Sequence, residues 1–221
     1  SAYYIPINHK NITNNKIFND QIPEKEALDI IKIICSDSSI LKIGQNIKYD
    51  IRILNKYGIK FESIEDTMLM SYALDNGLTR HGMDDLAFFH LNHSTIKFKE
   101  LVGSGKKQIT FDYVNIKEAT YYAAEDALIT LRLYNFFQKR INKEKVSYVY
   151  EKIDKPLIEV LSLMETEGIK VDSQYLKKLS SEFKKESEII EKKIFKITKE
   201  EFNIGSPKQL GEILFQLMQI P

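Results

Sequence analysis

The first two thirds of the chain read as an α/β domain and the last third as helix. Two observations predict this. Up to residue 141, short apolar runs of β type alternate with longer stretches whose apolar residues recur every three or four positions. Beyond residue 141 the chain reads as helical apart from a turn with a short extended piece at 168–172, and Leu176, Phe183, Ile190 and Ile197 recur every seven residues along one long helical stretch. A length of 221 residues accommodates one large domain or one and a half smaller ones.

Each element has a local reason. Residues 2–7, rich in Tyr and Ile, read as a strand. The chain opens on Ser1-Ala-Tyr-Tyr-Ile, as though entering that strand in its middle, and is expected to be a piece of something longer. Residues 8–19 are polar and turn-like. Pro23 with acidic neighbours starts a helix over 24–35, with Ala27, Leu28, Ile31 and Ile34 on its inner stripe. Residues 40–43 are a short strand ended by Gly44. Asn46 is expected to cap a helix carrying Ile47, Ile51 and Leu54, which stops at Tyr57-Gly58. Residues 59–64 read as a strand, and Asp66 caps a helix to residue 74. After a loop over 75–79, residues 80–86 lead into another helix that ends near Leu91. Residues 92–110, with Gly103, Gly105 and several lysines, read as a surface excursion. A helix almost free of breakers carries residues 117–134 and ends near Arg140.

Residues 142–145 read as a linker. A helix over 148–165 should kink at Pro156. The long helix spans 173–202, its heptad stripe being expected to pack within the chain. Residues 209–218 form a last helix after Pro207.

Composition narrows the function. Apolar residues make up 43% and charged residues 29%, ordinary for a globular protein. The net charge of +1 provides no global basic field, although a local groove could still bind nucleic acid. No run approaches the ~20 apolar residues of a membrane span. The single Cys35 lies in an apolar run and reads as a buried structural thiol; no Cys/His cluster points to zinc.

Two helical stretches carry chemistry. Tyr122 and Asp126 are four apart and share a helix face, and so do Asn46 and Asp50. Alone, each pair has an ordinary explanation: a surface carboxylate beside a half-buried phenol, and a carboxylate favoured near a helix N-terminus. If the two helices face each other across the end of the sheet, two carboxylates converge. Carboxylate oxygen is the preferred ligand of Mg²⁺ or Mn²⁺. Two such ions ~3.5–4 Å apart suit phosphodiester hydrolysis, and a phenol beside them can orient water. Two carboxylates alone cannot hold two ions, so further acidic ligands are needed.

The stretches Gly44-Gln-Asn-Ile-Lys-Tyr-Asp50, Asp66-Thr-Met-Leu, Arg80-His-Gly-Met-Asp, Thr95-Ile-Lys-Phe98, Tyr122-Ala-Ala-Glu-Asp126 and Phe202-Asn-Ile-Gly-Ser-Pro-Lys-Gln-Leu210 carry a resemblance. Asn46-x-x-x-Asp50 and Tyr122-x-x-x-Asp126 resemble two motifs of the DEDDy-type 3′–5′ exonucleases. The whole chain resembles the Klenow-type portion of the bacterial DNA polymerase I family (family A). The resemblance implies a ribonuclease H-like exonuclease domain over 1–142, with a mixed sheet lacking its first strands. It implies that 143–221 is the helical beginning of the polymerase domain, at the base of the thumb. It further implies Asp126 and Asp50 as metal-site residues for Mg²⁺ or Mn²⁺, with Tyr122 positioning the nucleophilic water. Gln45, Asn46, Tyr49, Arg80 and Phe98 match positions that hold a single-stranded 3′ end, and stacking on Phe98 would tolerate any base. DNA is the implied partner, as a 3′ single strand here and as primer-template in the parent. A bacterial, cytoplasmic, nucleoid-associated monomer is expected.

One departure matters. The family's Asp-x-Glu motif is absent from the first hundred residues, and so are the palm carboxylates. This chain by itself is therefore expected to be inactive. Two alternatives stay open: a catalytically dead exonuclease-like scaffold that binds DNA and supports the polymerase domain, and a stand-alone exoribonuclease of the ribonuclease D type. The latter should lack Ser206-Pro-Lys-Gln-Leu210.

Overall fold

A computed structural model describes residues 1–78 and 80–220. The loop expected over 75–79 reaches Thr79, and the helical segment expected over 143–221 reaches Pro221; both residues lie outside the described set. The chain divides into two compact units, Ser1–Gly168 and Ile169–Pro221.

In the first unit, α1 (Glu24–Ser36) starts at Pro23 and buries Ala27 and Cys35. Ile34 is 43% exposed, because the inner stripe runs through 27, 31 and 35. Next come β1 (Lys42–Gly44), α2 (Ile47–Asn55) and β2 (Ile64–Asp66). β1 and β2 pair in parallel, with Lys42 opposite Ile64 and Gly44 opposite Asp66. Among the described residues the α/β character thus rests on one small β-α-β unit, with a sheet of two parallel strands. Gly44 has no room for a side chain, since an added Cβ would stand 2.7 Å from Ile47. That close approach allows α2 to start directly off the strand.

Residues 2–7 form no strand among the described residues. A strand exists only by pairing, and the chain is instead fixed just after this segment, at His9 and Lys10. His9 is buried, and its Nδ1 lies 3.0 Å from the Val114 carbonyl. Its backbone N–H donates to Gln21 at 2.7 Å, and the Lys10 N–H donates to the Asp112 carbonyl at 2.7 Å.

α3 (Thr67–Asp75), α4 (Met83–Leu91) and α6 (Ile116–Lys143) pack together and build the main core. That core holds Met70, Leu86, Ala87, Ile129, Leu133, Phe137, Ile141 and Tyr150. Between α4 and α6 lies α5 (Phe98–Val102). The stretch over 92–110 is less of a surface excursion than its composition predicts, because Thr95 and Val102 are buried. Val102 joins Val114 and Ala119 in a second small core.

α6 runs to Lys143, so the expected linker contracts to a turn in which Lys145 takes the left-handed conformation at φ 61°. The chain then turns back through α7 (Ser147–Val149), a π-helical turn (Tyr150–Asp154) and α8 (Lys155–Glu167). Pro156 explains the π turn. It cannot donate the fourth-neighbour hydrogen bond, and the helix widens just before it. α8 packs on α2, and the Lys48 ammonium and the Arg52 guanidinium both pair with Glu165, the latter at 2.7 Å.

The second unit holds α9 (Ser173–Thr198), capped by Asp172, whose carboxylate accepts the Gln174 and Tyr175 N–H groups at 3.0 and 2.9 Å. α9 stops short of 202 because Lys199 turns left-handed at φ 59°. α10 (Pro207–Gly211) follows, wound on into a π-helical turn over Glu212–Leu217. The heptad stripe of α9 is not packed away as expected: Leu176, Phe183, Ile190 and Ile197 are all at least half exposed.

Candidate active site

α6 begins at Asn115, whose side chain accepts the Lys117 N–H at 2.9 Å, and no Gly or Pro interrupts it. Its buried stripe runs through Ala119, Ile129, Leu133 and Phe137. Tyr122 and Asp126 continue that stripe between Ala119 and Ile129, so a carboxylate occupies a place where the periodicity calls for an apolar residue. The consequence is electrostatic. Asp126 Oδ1 is buried and has no hydrogen-bond partner. Burial pushes the Asp126 carboxyl up to about 6, the charges of Glu125 and Asp84 add to this, and the Tyr122 phenol opposes it. Burial first, and then the Asp126 charge, push the Tyr122 hydroxyl up to about 12, so it stays a phenol at neutral pH.

Tyr122 also belongs to an aromatic wall. Its ring centroid lies 6.0 Å from that of Phe98 and 6.0 Å from that of Phe111. Phe98 and Phe111 stack at 6.0 Å with 20° between their planes. Phe98 nonetheless keeps 46% of its surface open.

The second cluster lies at the end of β1. Asn46 is not the helix cap its identity predicts. It sits in the left-handed region at φ 59°, and its side chain makes no capping bond. The Asp66 carboxylate does that work from 20 residues away, accepting the Asn46 N–H at 3.1 Å and the Ile47 N–H at 2.9 Å. The same carboxylate caps its own helix through the Met68 and Leu69 N–H groups at 2.8 and 3.3 Å. The Asn46 side chain is exposed and makes no capping bond.

Asp50 stands in the first turn of α2. Protein crowds its inner side, which raises its carboxyl, and the Asp66 charge raises it further. More than a third of its surface remains open, however, so it is a solvent-reachable acid at a rim. Tyr49 is 62% exposed, and Arg80 is exposed. Gln45 is engaged: its amide donates to the His81 carbonyl at 2.9 Å and accepts from the Thr67 hydroxyl. It joins the start of α3 to the segment that carries Arg80.

The structure brings Tyr122, Asp126 and Phe98 together. Asn46, Tyr49 and Asp50 form the other group. The charges that shift Asp126 are those of Glu125 and Asp84, and the charge that shifts Asp50 is that of Asp66. Among the described residues, no cluster of three or more His, Cys, Asp or Glu groups could hold a metal ion. The orphaned Asp126 oxygen and the open Asp50 carboxyl are hard donors of the kind that Mg²⁺ and Mn²⁺ take, but the set is short of ligands.

Sequence reasoning passed over Phe111 and Glu125. Phe111 carried no local signal beyond its aromaticity. Glu125 stands inside the Tyr122-to-Asp126 motif, and its contacts lie 29 and 32 residues away: the Ile96 N–H at 2.7 Å and His93 Nε2 at 2.7 Å.

Residues 2–142 match the family model described as 3′–5′ exonuclease, and residues 173–221 match that of DNA polymerase family A. DNA polymerase I of Rhizobium leguminosarum is 46% identical, with 98% of this chain and 22% of the relative covered. That of Pseudomonas aeruginosa is 39% identical, with 100% and 24% covered. The chain thus spans about a quarter of the length of these relatives. Two solved structures share the fold. The polymerase domain of Pol1 from M. smegmatis, in complex with a DNA primer-template and dNTP, has a TM-score of 0.64 at 22% identity, with 93% of this chain and 32% of that one covered. Brucella melitensis NrnC has a TM-score of 0.52 at 22% identity, with 65% and 68% covered. The chain belongs to the 3′–5′ exonuclease family found in DNA polymerase I, and it runs on into the start of a family A polymerase domain.

Proposed function

We propose that this chain is the proofreading part of a DNA polymerase I, removing nucleotides from a single-stranded 3′ end with the help of divalent cations. In this reading residues 1–142 are the exonuclease part and 143–221 begin the polymerase part. The parent would extend DNA on a primer-template. The observation that carries the reading is the orphaned Asp126 oxygen on the buried stripe of α6, next to a phenol and an open aromatic face.

The chemistry divides among the residues. A bound Mg²⁺ or Mn²⁺ would polarise the scissile phosphate and make water a better nucleophile. Asp126 would hold one cation, and Asp50 would help hold a second from the first turn of α2. Two carboxylates are too few to hold two cations, so a complete site needs further acidic ligands. Tyr122 stays protonated at neutral pH and can orient water by hydrogen bonding, without itself acting as a base. Phe98 offers its open ring to the terminal base, whatever that base is. Asn46, Tyr49 and Arg80 are exposed and would meet the strand's polar groups. Gln45 would act through the segment it anchors.

The test is made on the full-length gene product. It should release nucleotides from a 3′-labelled single strand in Mg²⁺, and Asp126→Ala should abolish that release while polymerisation persists. Absence of 3′ degradation under every divalent ion tried would overturn the exonuclease reading and favour a binding scaffold.

A further inference from the structure

Glu125 lies next to Asp126 in the chain, yet it points to a different task. One carboxylate oxygen takes the Ile96 backbone N–H at 2.7 Å, and the other lies 2.7 Å from His93 Nε2. Both oxygens are therefore spent on one segment, residues 93–96. That segment leads straight into α5, whose first residue is Phe98. Asp84 of α4 holds the same segment, accepting from the Thr95 hydroxyl at 2.6 Å and pairing with Lys97 at 2.8 Å. Thr95 is buried in this clasp. The strap between the helices is thus fixed by carboxylates from both α4 and α6, and the ring of Phe98 at its end lies 6.0 Å from that of Tyr122.

The two anchors differ in kind. The Asp84–Lys97 pair is about half exposed, so solvent screens it. Glu125 is 17% exposed, and it binds a backbone amide whose position sets the path of the chain. Glu125 is the anchor whose loss would let the strap drift.

We propose that Glu125 is a positioning residue of the exonuclease site, fixing the 93–98 strap so that the ring of Phe98 stands beside Tyr122 to receive the 3′-terminal base. It touches neither substrate nor cation and acts through Phe98. This rests on the proofreading function proposed above.

The experiment uses the full-length gene product, with EDTA present so that nothing is cleaved. Affinity for a 3′-fluorescent oligothymidylate is measured for the wild type, Glu125→Ala, Phe98→Ala, the double variant and Glu125→Gln. Hydrogen exchange over residues 93–98 and thermal unfolding are recorded for each. Glu125→Ala and Phe98→Ala should each weaken binding about tenfold. The double variant should be no weaker than about tenfold, against about a hundredfold for independent effects. Glu125→Gln keeps one acceptor for the Ile96 N–H and offers a donor to His93, so it should bind within about threefold of the wild type. Exchange of the strap should rise in Glu125→Ala and stay low in Glu125→Gln. Multiplying losses, unchanged exchange in Glu125→Ala, or no rescue by Gln would each overturn the proposal while the functional reading stands. If the wild type binds no single strand, the functional reading fails and this role falls with it.

Discussion

The Asp66 carboxylate accepts the Ile47 N–H at 2.9 Å from the start of a different helix, so one buried side chain begins both α2 and α3. Asp66 is 2% exposed and ends β2, whose partner β1 ends opposite it at Gly44. Burial raises its carboxyl, and the four N–H groups only partly offset this. Replacing Asp66 by Ala strips two helix N-termini at once, each cap contributing about 1 kcal/mol, and leaves buried N–H groups unpaired. Asp66→Ala should cost about 3 kcal/mol. Asp66→Asn keeps one acceptor oxygen and should cost about half of that. Chemical denaturation of the two variants against the wild type measures both, and equal losses would show that the second oxygen contributes nothing.

Asp126 sets a pH dependence of its own. Its carboxyl is raised from an unfolded value of 3.8 to about 6, so the folded state holds the proton more tightly. Without a divalent ion, its contribution to stability is greatest below pH 4 and is lost as the pH rises through about 6. A cation needs the ionised form. Mn²⁺ affinity, read by calorimetry on the full-length gene product, should therefore strengthen between pH 5 and 7, and Asp126→Asn should flatten the rise. An equally steep rise in Asp126→Asn would assign it to another group.

Tyr122 couples to that titration. Tyr122→Phe keeps the ring in the aromatic wall and removes only the hydroxyl. The rate of 3′ removal should fall about 100-fold, the scale of losing an aligned contact to the reacting water. The phenol also holds the Asp126 carboxyl down, so the variant's Asp126 should titrate above about 6. The pH–rate profile of Tyr122→Phe should thus shift to higher pH as well as drop. A drop without a shift would mean that the phenol acts on water alone.

What could be read in advance follows the range of the interactions. α1 and α3 start and stop within a residue or two of expectation, and α4 ends where expected, because Pro23, the Asp66 cap and the apolar period all act within a turn or two. The spacing of Tyr122 and Asp126 places them on one face for the same reason. Asn46 misled because capping is local only when no stronger acceptor is near, and Asp66 arrives from 20 residues away. Residues 2–7 have strand composition but no partner, and composition does not supply one. Glu125 and Phe111 owe their roles to contacts across the fold, which no periodicity encodes.

Arg140 and Asp75 close the far side of the core from Tyr122. The guanidinium donates to both Asp75 oxygens at 2.6 and 2.8 Å and also reaches Glu144 at 2.7 Å, binding the end of α3 to the end of α6. The Arg140 hydrogen bonds hold the Asp75 carboxyl below its usual range. A depressed folded value stabilises the protein above the unfolded value of 3.8, and the contribution is lost as pH falls through the folded one. Arg140→Lys keeps the charge and loses the two-pronged geometry, so it should cost about 1 kcal/mol at pH 7. Asp75→Ala should cost about 2–3 kcal/mol. That is less than the loss of a fully buried pair, because Arg140 keeps Glu144 and partial contact with water. Both deficits should shrink as the pH falls far enough below 3.8 to protonate Asp75 in the folded wild type, which then loses the pair as well. Unfolding curves at pH 7 and pH 2.5 separate this from a packing defect, which would persist at both.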